Sequence, residues 1–181
     1  MLVVGGLPQG SKDLAGARRQ VAEGIAAILP EARQAGVPLA IEPLHPMQAA
    51  ERACVNTLEQ ALDICDALGE DGRSAPSALG VAVDVYHVWW DPKLEAQIAR
   101  AGKRRLLAYH ICDWLVPTRD LLNDRGMMGD GVVDLPHTRG LMETAGYGGF
   151  HEVEIFSKLD WWQRDPDQVL AICKDRHVKV T

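Results

Sequence analysis

Apolar residues recur along this chain with two periods. Val81, Val83 and Val85 alternate with small or polar neighbours, which is the two-residue period of a strand. Val21, Ile25, Ile28, Leu29 and Ala32 return every three or four positions, which is the period of a helix. Carried along the whole chain, the two patterns predict strands near 1–6, 39–42, 81–85, 106–112 and 152–156, and helices near 14–35, 57–69, 92–101, 135–145 and 165–176. The boundaries carry their own signals. Thr57-Leu58-Glu59-Gln60 has the form of a capping box, and Asp91-Pro92 and Asp165-Pro166 each pair an N-cap with a first-turn proline. Pro30 is expected to end or kink the first helix near Leu29. Pro43 and Pro46 stop the second strand at Glu42.

Strand and helix therefore alternate five times, with strands of nearly continuous Val, Ile, Leu and Ala character. Such alternation implies a parallel sheet covered by helices. An open doubly wound sheet and a (β/α)8 barrel both satisfy it. Polar residues stand at the carboxyl ends of several strands, which favours the barrel, where those ends converge. No GxGxxG or Walker sequence marks the switch point of an open sheet.

Composition narrows the class. With 47% apolar and 24% charged residues and a formal net charge of −6, the 181 residues fit one globular domain. The acidic balance and scattered arginines give no electrostatic footprint for a nucleic-acid partner. Cys54, Cys65, Cys112 and Cys173 lack CxxC spacing and are expected to be reduced thiols. No apolar run approaches the roughly 20 residues of a membrane span, and the start shows no signal-peptide pattern. The expected location is the cytoplasm, with no membrane partner.

Four strand ends each carry one potential metal ligand. Glu42 closes PLAIEPLHP, Asp84 interrupts GVAVDVYH, His110 lies in RLLAYHICDW and Glu154 in FHEVEIFS. Taken singly, Glu42 can be a solvated acid and His110 a satisfied core histidine. Asp84 says more, because it breaks a valine-rich run and His87 follows three residues later. In a barrel the four side chains would face a common centre. Three carboxylates crowded there would repel one another without a cation. Such a donor set suits Mn²⁺, Mg²⁺, Co²⁺ or Zn²⁺, with the oxygen ligands leaning towards Mn²⁺ or Mg²⁺.

The segments IEPLHP, DVYHVWWDP, HICDW, GMMGDG and HEVEIF together resemble the sugar phosphate isomerase/epimerase family of the xylose isomerase-like TIM barrels. The resemblance covers nearly the whole chain. It implies one divalent metal, Mn²⁺ favoured, held by Glu42, Asp84, His110 and Glu154, with Glu152 as a competitor for the last position. It also implies that Glu42 and Glu154 exchange a substrate proton through an enediolate, and that His87 contacts substrate oxygens. His45, Trp89, Trp90 and Trp114 would line the pocket. Two departures stand out. The ketose 3-epimerases place a glutamate six residues past the first ligand, where this chain has Gln48. They place a basic residue six past the histidine, where this chain has Val116, leaving Arg119 as the nearest substitute. GDG at 129–131 is a tight turn first and a substrate contact second.

Barrels of this family have eight strands and roughly 250 residues or more. The chain is therefore expected to be a single partial barrel domain over 1–181, supplying strands 4–8, either as a fragment of a longer enzyme or as a chain that completes its sheet by forming a homo-oligomer. The expected activity is a metal-dependent isomerase or epimerase acting on a small sugar or polyol. The alternatives are an inosose dehydratase-like lyase, an endonuclease IV-like protein and an inactive truncated barrel.

Overall fold

The computed structural model describes residues 2–3, 5–70, 72 and 77–181. Its first half runs β1 (Leu2–Val3), α1 (Leu14–Ala35), β2 (Leu39–Glu42), α2 (Leu58–Ala67), β3 (Leu79–Asp84) and the single turn α3 (Val85–Val88). Its second half runs α4 (Leu94–Arg105), β4 (Leu106–Ile111), β5 (Asp113–Trp114), β6 (Arg125–Gly126), α5 (Leu135–Thr144), β7 (His151–Val153) and α6 (Pro166–Val180). Met1 and Val4 of the first expected strand, and Asp71 and 73–76 of the loop before β3, lie outside the described residues.

The main sheet is ordered β1-β2-β3-β4-β7, with every pair parallel. Order in space follows order in the chain. That is how a barrel wall is wound, whereas a doubly wound sheet reverses at a switch point. All six residues of β3 are buried, as expected of a parallel strand covered on both faces. Gly80 is required there, because a Cβ at that position would stand 2.3 Å from the Arg105 carbonyl oxygen.

Four local expectations need correction. Pro30 does not end α1, which continues to Ala35 and closes on Gly36 in the left-handed conformation. β3 stops at Asp84, one residue before Val85, because the Asp84 carboxylate accepts from the Tyr86 N–H and caps α3. The fourth helix begins at Leu94 rather than Pro92: Asp91 accepts from the Lys93 N–H with its carboxylate and from the Leu94 N–H with its carbonyl, which closes a tight turn ahead of the helix. β7 covers His151–Val153 only, and Glu154 follows it, with its N–H donated to the Ile111 carbonyl. The Thr57 cap forms as expected, although Gln60 reaches back to the Asn56 N–H.

Candidate metal centre

The expected ligands arrive from three strand ends and one loop. Glu42 closes β2 and Asp84 closes β3. His110 lies opposite Asp84 in the β3–β4 register. Glu154 lies one residue past β7. One ligand atom from each of the four falls within 4.8 Å of all the others. His110 Nδ1 is 3.1 Å from Glu42 Oε1 and 3.3 Å from Glu154 Oε2. Glu152, the competitor, is paired with His110 across the sheet, but its carboxylate is 4.0 Å from Nε2 and more than half exposed.

The donor set fits a divalent cation. Glu42 Oε1 and His110 Nδ1 are buried and close, yet neither has a hydrogen-bond partner of acceptable geometry. Buried polar atoms are nearly always satisfied, and a cation between them would satisfy both. Electrostatics agrees. Burial raises the Glu42 carboxyl above its ordinary value. Burial also pulls His110 down, but the Glu154 and Glu42 carboxylates outweigh it and push the imidazole up to about 10. The cluster thus attracts positive charge.

Arg125 is the neighbour that the sequence pattern did not reveal. Its buried guanidinium donates from Nη1 to Asp84 Oδ2 at 2.8 Å and to Glu154 Oε2 at 3.2 Å. It lies over the Tyr86 ring at 4.4 Å and the Phe156 ring at 5.1 Å. In this way it offsets the burial of Asp84, whose carboxyl would otherwise be raised but is held below its ordinary value by Arg125 and His87. His87 is buried and lowered to about 4, chiefly by that burial. Its Nδ1 accepts from the His45 N–H at 3.1 Å, which assigns the ring proton to Nε2. The 3.2 Å approach of Arg125 Nη2 to Nε2 is then donor against donor.

Glu42, His87, Arg125 and Glu154 share one cavity of about 370 Å³, which Gln48, Arg52, Leu121–Asn123, Phe156 and Trp162 help to line. None of the expected pocket residues His45, Trp89, Trp90, Trp114 and Arg119 is among those lining residues. The His45 ring stacks on Trp114 at 4.7 Å, and Trp114 packs on Tyr86 and Trp89 behind the cavity. Arg119 is half-exposed and tied to the buried carboxylate of Asp124. A basic residue does reach the site, but it is Arg125, because residues 113–124 form a longer loop than a fixed six-residue spacing allows. Of the GDG turn, Gly129 donates its N–H to Asp113 Oδ2.

A singly wound parallel sheet with three carboxylates and an imidazole gathered at its strand ends defines a β/α barrel protein with a candidate metal centre. A family model for the xylose isomerase-like TIM barrel matches residues 1–172, and the chain belongs to that family. It is similar to the inosose isomerase of Halalkalibacterium halodurans, with 26% identity over 152 residues covering 82% of this chain and 50% of that protein. It also resembles a crystal structure of a Sinorhizobium meliloti protein, with TM-score 0.92 and 64% identity over 99% of this chain and 63% of the other. The crystal structure of an IolI protein with a bound zinc atom has the same fold, with TM-score 0.77 and 21% identity over 99% of this chain and 60% of the other. The chain spans about half the length of the curated relatives it matches. No helix among the described residues is long and apolar enough to cross a membrane.

Proposed function

We propose that this chain carries the metal-binding half of a cytoplasmic sugar or polyol isomerase/epimerase, as a single partial domain supplying strands 4–8 of an eight-stranded barrel. The four-residue donor cluster is the observation that supports this reading most directly. The names of the relatives, inosose isomerase among them, point the same way. In this reading β1 and β7, each paired on one side only among the described residues, meet strands that this sequence does not include. The apolar exposure of Phe150, Leu170 and Val178 near β7 and α6 then marks a covered surface.

Glu42, Asp84, His110 and Glu154 would hold one divalent ion, with Mn²⁺ favoured by the three carboxylates. When bound, such an ion polarises the carbonyl and hydroxyl oxygens of the substrate. The protein's own groups handle the proton. Glu154, partly open to the cavity, removes the hydrogen next to the carbonyl, and the C–H electron pair moves into an enediolate. Glu42 returns a proton to carbon. His87 contacts a substrate oxygen, Arg125 holds Asp84 and Glu154 in place, and the His45 backbone N–H holds the His87 ring.

The test is metal content together with solvent deuterium incorporation into a panel of ketoses. Glu154→Gln should lower incorporation by about 10²–10⁴-fold and weaken Mn²⁺ binding. Full incorporation and full metal content in that variant would remove Glu154 from the mechanism.

A further inference from the structure

Arg52 lines the same cavity as Glu42 and Glu154, yet the proposed chemistry does not use it. The other described arginines each hold a carboxylate or a backbone carbonyl. Arg33 holds Glu70, Arg100 holds Asp63 and Asp66, and Arg176 holds Asp130. Arg52 makes no ion pair or hydrogen bond through its guanidinium among the described residues. Its backbone is nevertheless well anchored. The Arg52 N–H donates to the Gln48 carbonyl at 3.0 Å, and the next residues, Ala53 and Cys54, are fully buried. Gly6 packs so closely beneath that a Cβ there would lie 2.7 Å from the Glu51 backbone. An exposed cation is thus presented from a rigid support at the mouth of a cavity whose floor holds the buried Glu42.

Gln48 offers that guanidinium no counter-charge. It lines the same cavity at the position where the ketose 3-epimerase pattern has a glutamate. A carboxylate one helical turn before Arg52 could neutralise the guanidinium, whereas an amide cannot. The chain is net acidic at −6, so the field of the whole molecule opposes an anionic ligand, and a local cation is what would admit one. A planar guanidinium fork matches two oxygens of a carboxylate or phosphate, a match that the hydroxyls of a neutral sugar do not need.

We propose that Arg52, left unpaired by Gln48, is the specificity-determining residue of the cavity and binds an anionic oxyacid substituent, carboxylate or phosphate, of the substrate. This rests on the isomerase/epimerase reading of the same site.

The experiment measures dissociation constants by calorimetry for D-ribulose 5-phosphate, D-gluconate and D-ribulose at low and high salt, with Mn²⁺ binding measured in parallel. The wild type should bind one anionic probe about tenfold more tightly than D-ribulose, and the preference should shrink with salt. The anion preferred identifies phosphate or carboxylate as the source. Arg52→Gln and Gln48→Glu should both erase the preference while Mn²⁺ binding is unchanged, and Arg52→Lys should keep part of it. Intact Mn²⁺ binding with no anion preference in the wild type, or a preference that survives Arg52→Gln, would overturn the proposal alone. An Arg52-dependent preference in a protein that binds no Mn²⁺ would sink the metal-centre reading and leave the anion site standing.

Discussion

Arg125 Nη1 lies 2.8 Å from Asp84 Oδ2, with both side chains almost entirely shielded from water. A cation from the β6 hairpin is therefore locked to the acid that ends β3. Two consequences follow from this pair. Asp84 stays ionised despite complete burial, and the second main-chain layer of the site, carried by residues 113–126, is fastened to the sheet.

Removing the cation should leave Asp84 as an uncompensated buried charge. Arg125→Gln is expected to destabilise the metal-free protein by about 3–5 kcal/mol, as read from chemical denaturation in EDTA. Excess Mn²⁺ should recover part of the loss by binding the native state. Equal denaturation midpoints for the variant and wild type would show that the pair contributes nothing.

Glu152 and Glu154 provide a matched comparison on one segment. Glu152→Gln changes an exposed carboxylate 4.0 Å from His110 and should shift Mn²⁺ affinity by no more than about twofold, as expected of a surface charge. Glu154→Gln changes an oxygen that meets both His110 and Arg125 and should weaken Mn²⁺ at least tenfold. Calorimetric titration of both variants decides which one carries the ligand.

Asp124 is fully buried and fastens the loop above the cavity, accepting from the Arg119 backbone N–H and side chain. Asp124→Ala is expected to cost about 1–3 kcal/mol by leaving those donors unpaired. It should also raise KM more than it lowers kcat, because Leu121–Asn123 line the cavity. An unchanged KM would separate the loop from ligand binding.

Gly131 sits against the backbone, and a Cβ there would lie 2.2 Å from the Trp114 carbonyl oxygen and 2.5 Å from Asp113 Oδ1. Asp113 itself caps the N–H groups of Trp114, Gly129 and Val133. Gly131→Ala should therefore lower stability by about 1–3 kcal/mol through overpacking, visible as a fall in Tm. A Tm equal to wild type would mean that the turn shifts freely.

α6 has no fully buried residue, and part of its docking is the 3.2 Å contact of His177 Nε2 with His151 Nδ1 on β7. Burial, then Arg139, then the His177 ring hold His151 below its ordinary value of 6.5, with Glu143 opposing them. Tyr109 and Tyr147 also pack on the His151 ring. Because the folded value is depressed, the unfolded chain takes up the proton first. The stability from this packing is full above about 6.5 and is lost as pH falls through the folded value. Tm should accordingly fall between pH 7.5 and 5, and His151→Phe should flatten that slope.

The strand-helix alternation and the four donors were legible in the chain itself. Both depend on short-range patterns: the period of Val81, Val83 and Val85, the prolines after Glu42, and an acid breaking an apolar run at Asp84. The caps at Thr57 and Asp165 likewise involve residues three apart and follow from local chemistry. Pro30 does not end the helix, because a proline's effect depends on what packs around its turn, and Leu29 and Ala32 are buried on both sides of it.

Only the tertiary structure decided which residues complete the site. Arg125 reaches Asp84 across 41 positions and Glu154 across 29, and nothing in the local pattern separates it from Arg119, six residues earlier. The choice depends on the path of residues 113–126, which is set by Asp113 and Asp124 gathering distant N–H groups. Periodicity records which face of an element is apolar, and so it determines strands, helices and the residues at their ends. Loop paths are determined by contacts that exist only once the sheet has formed.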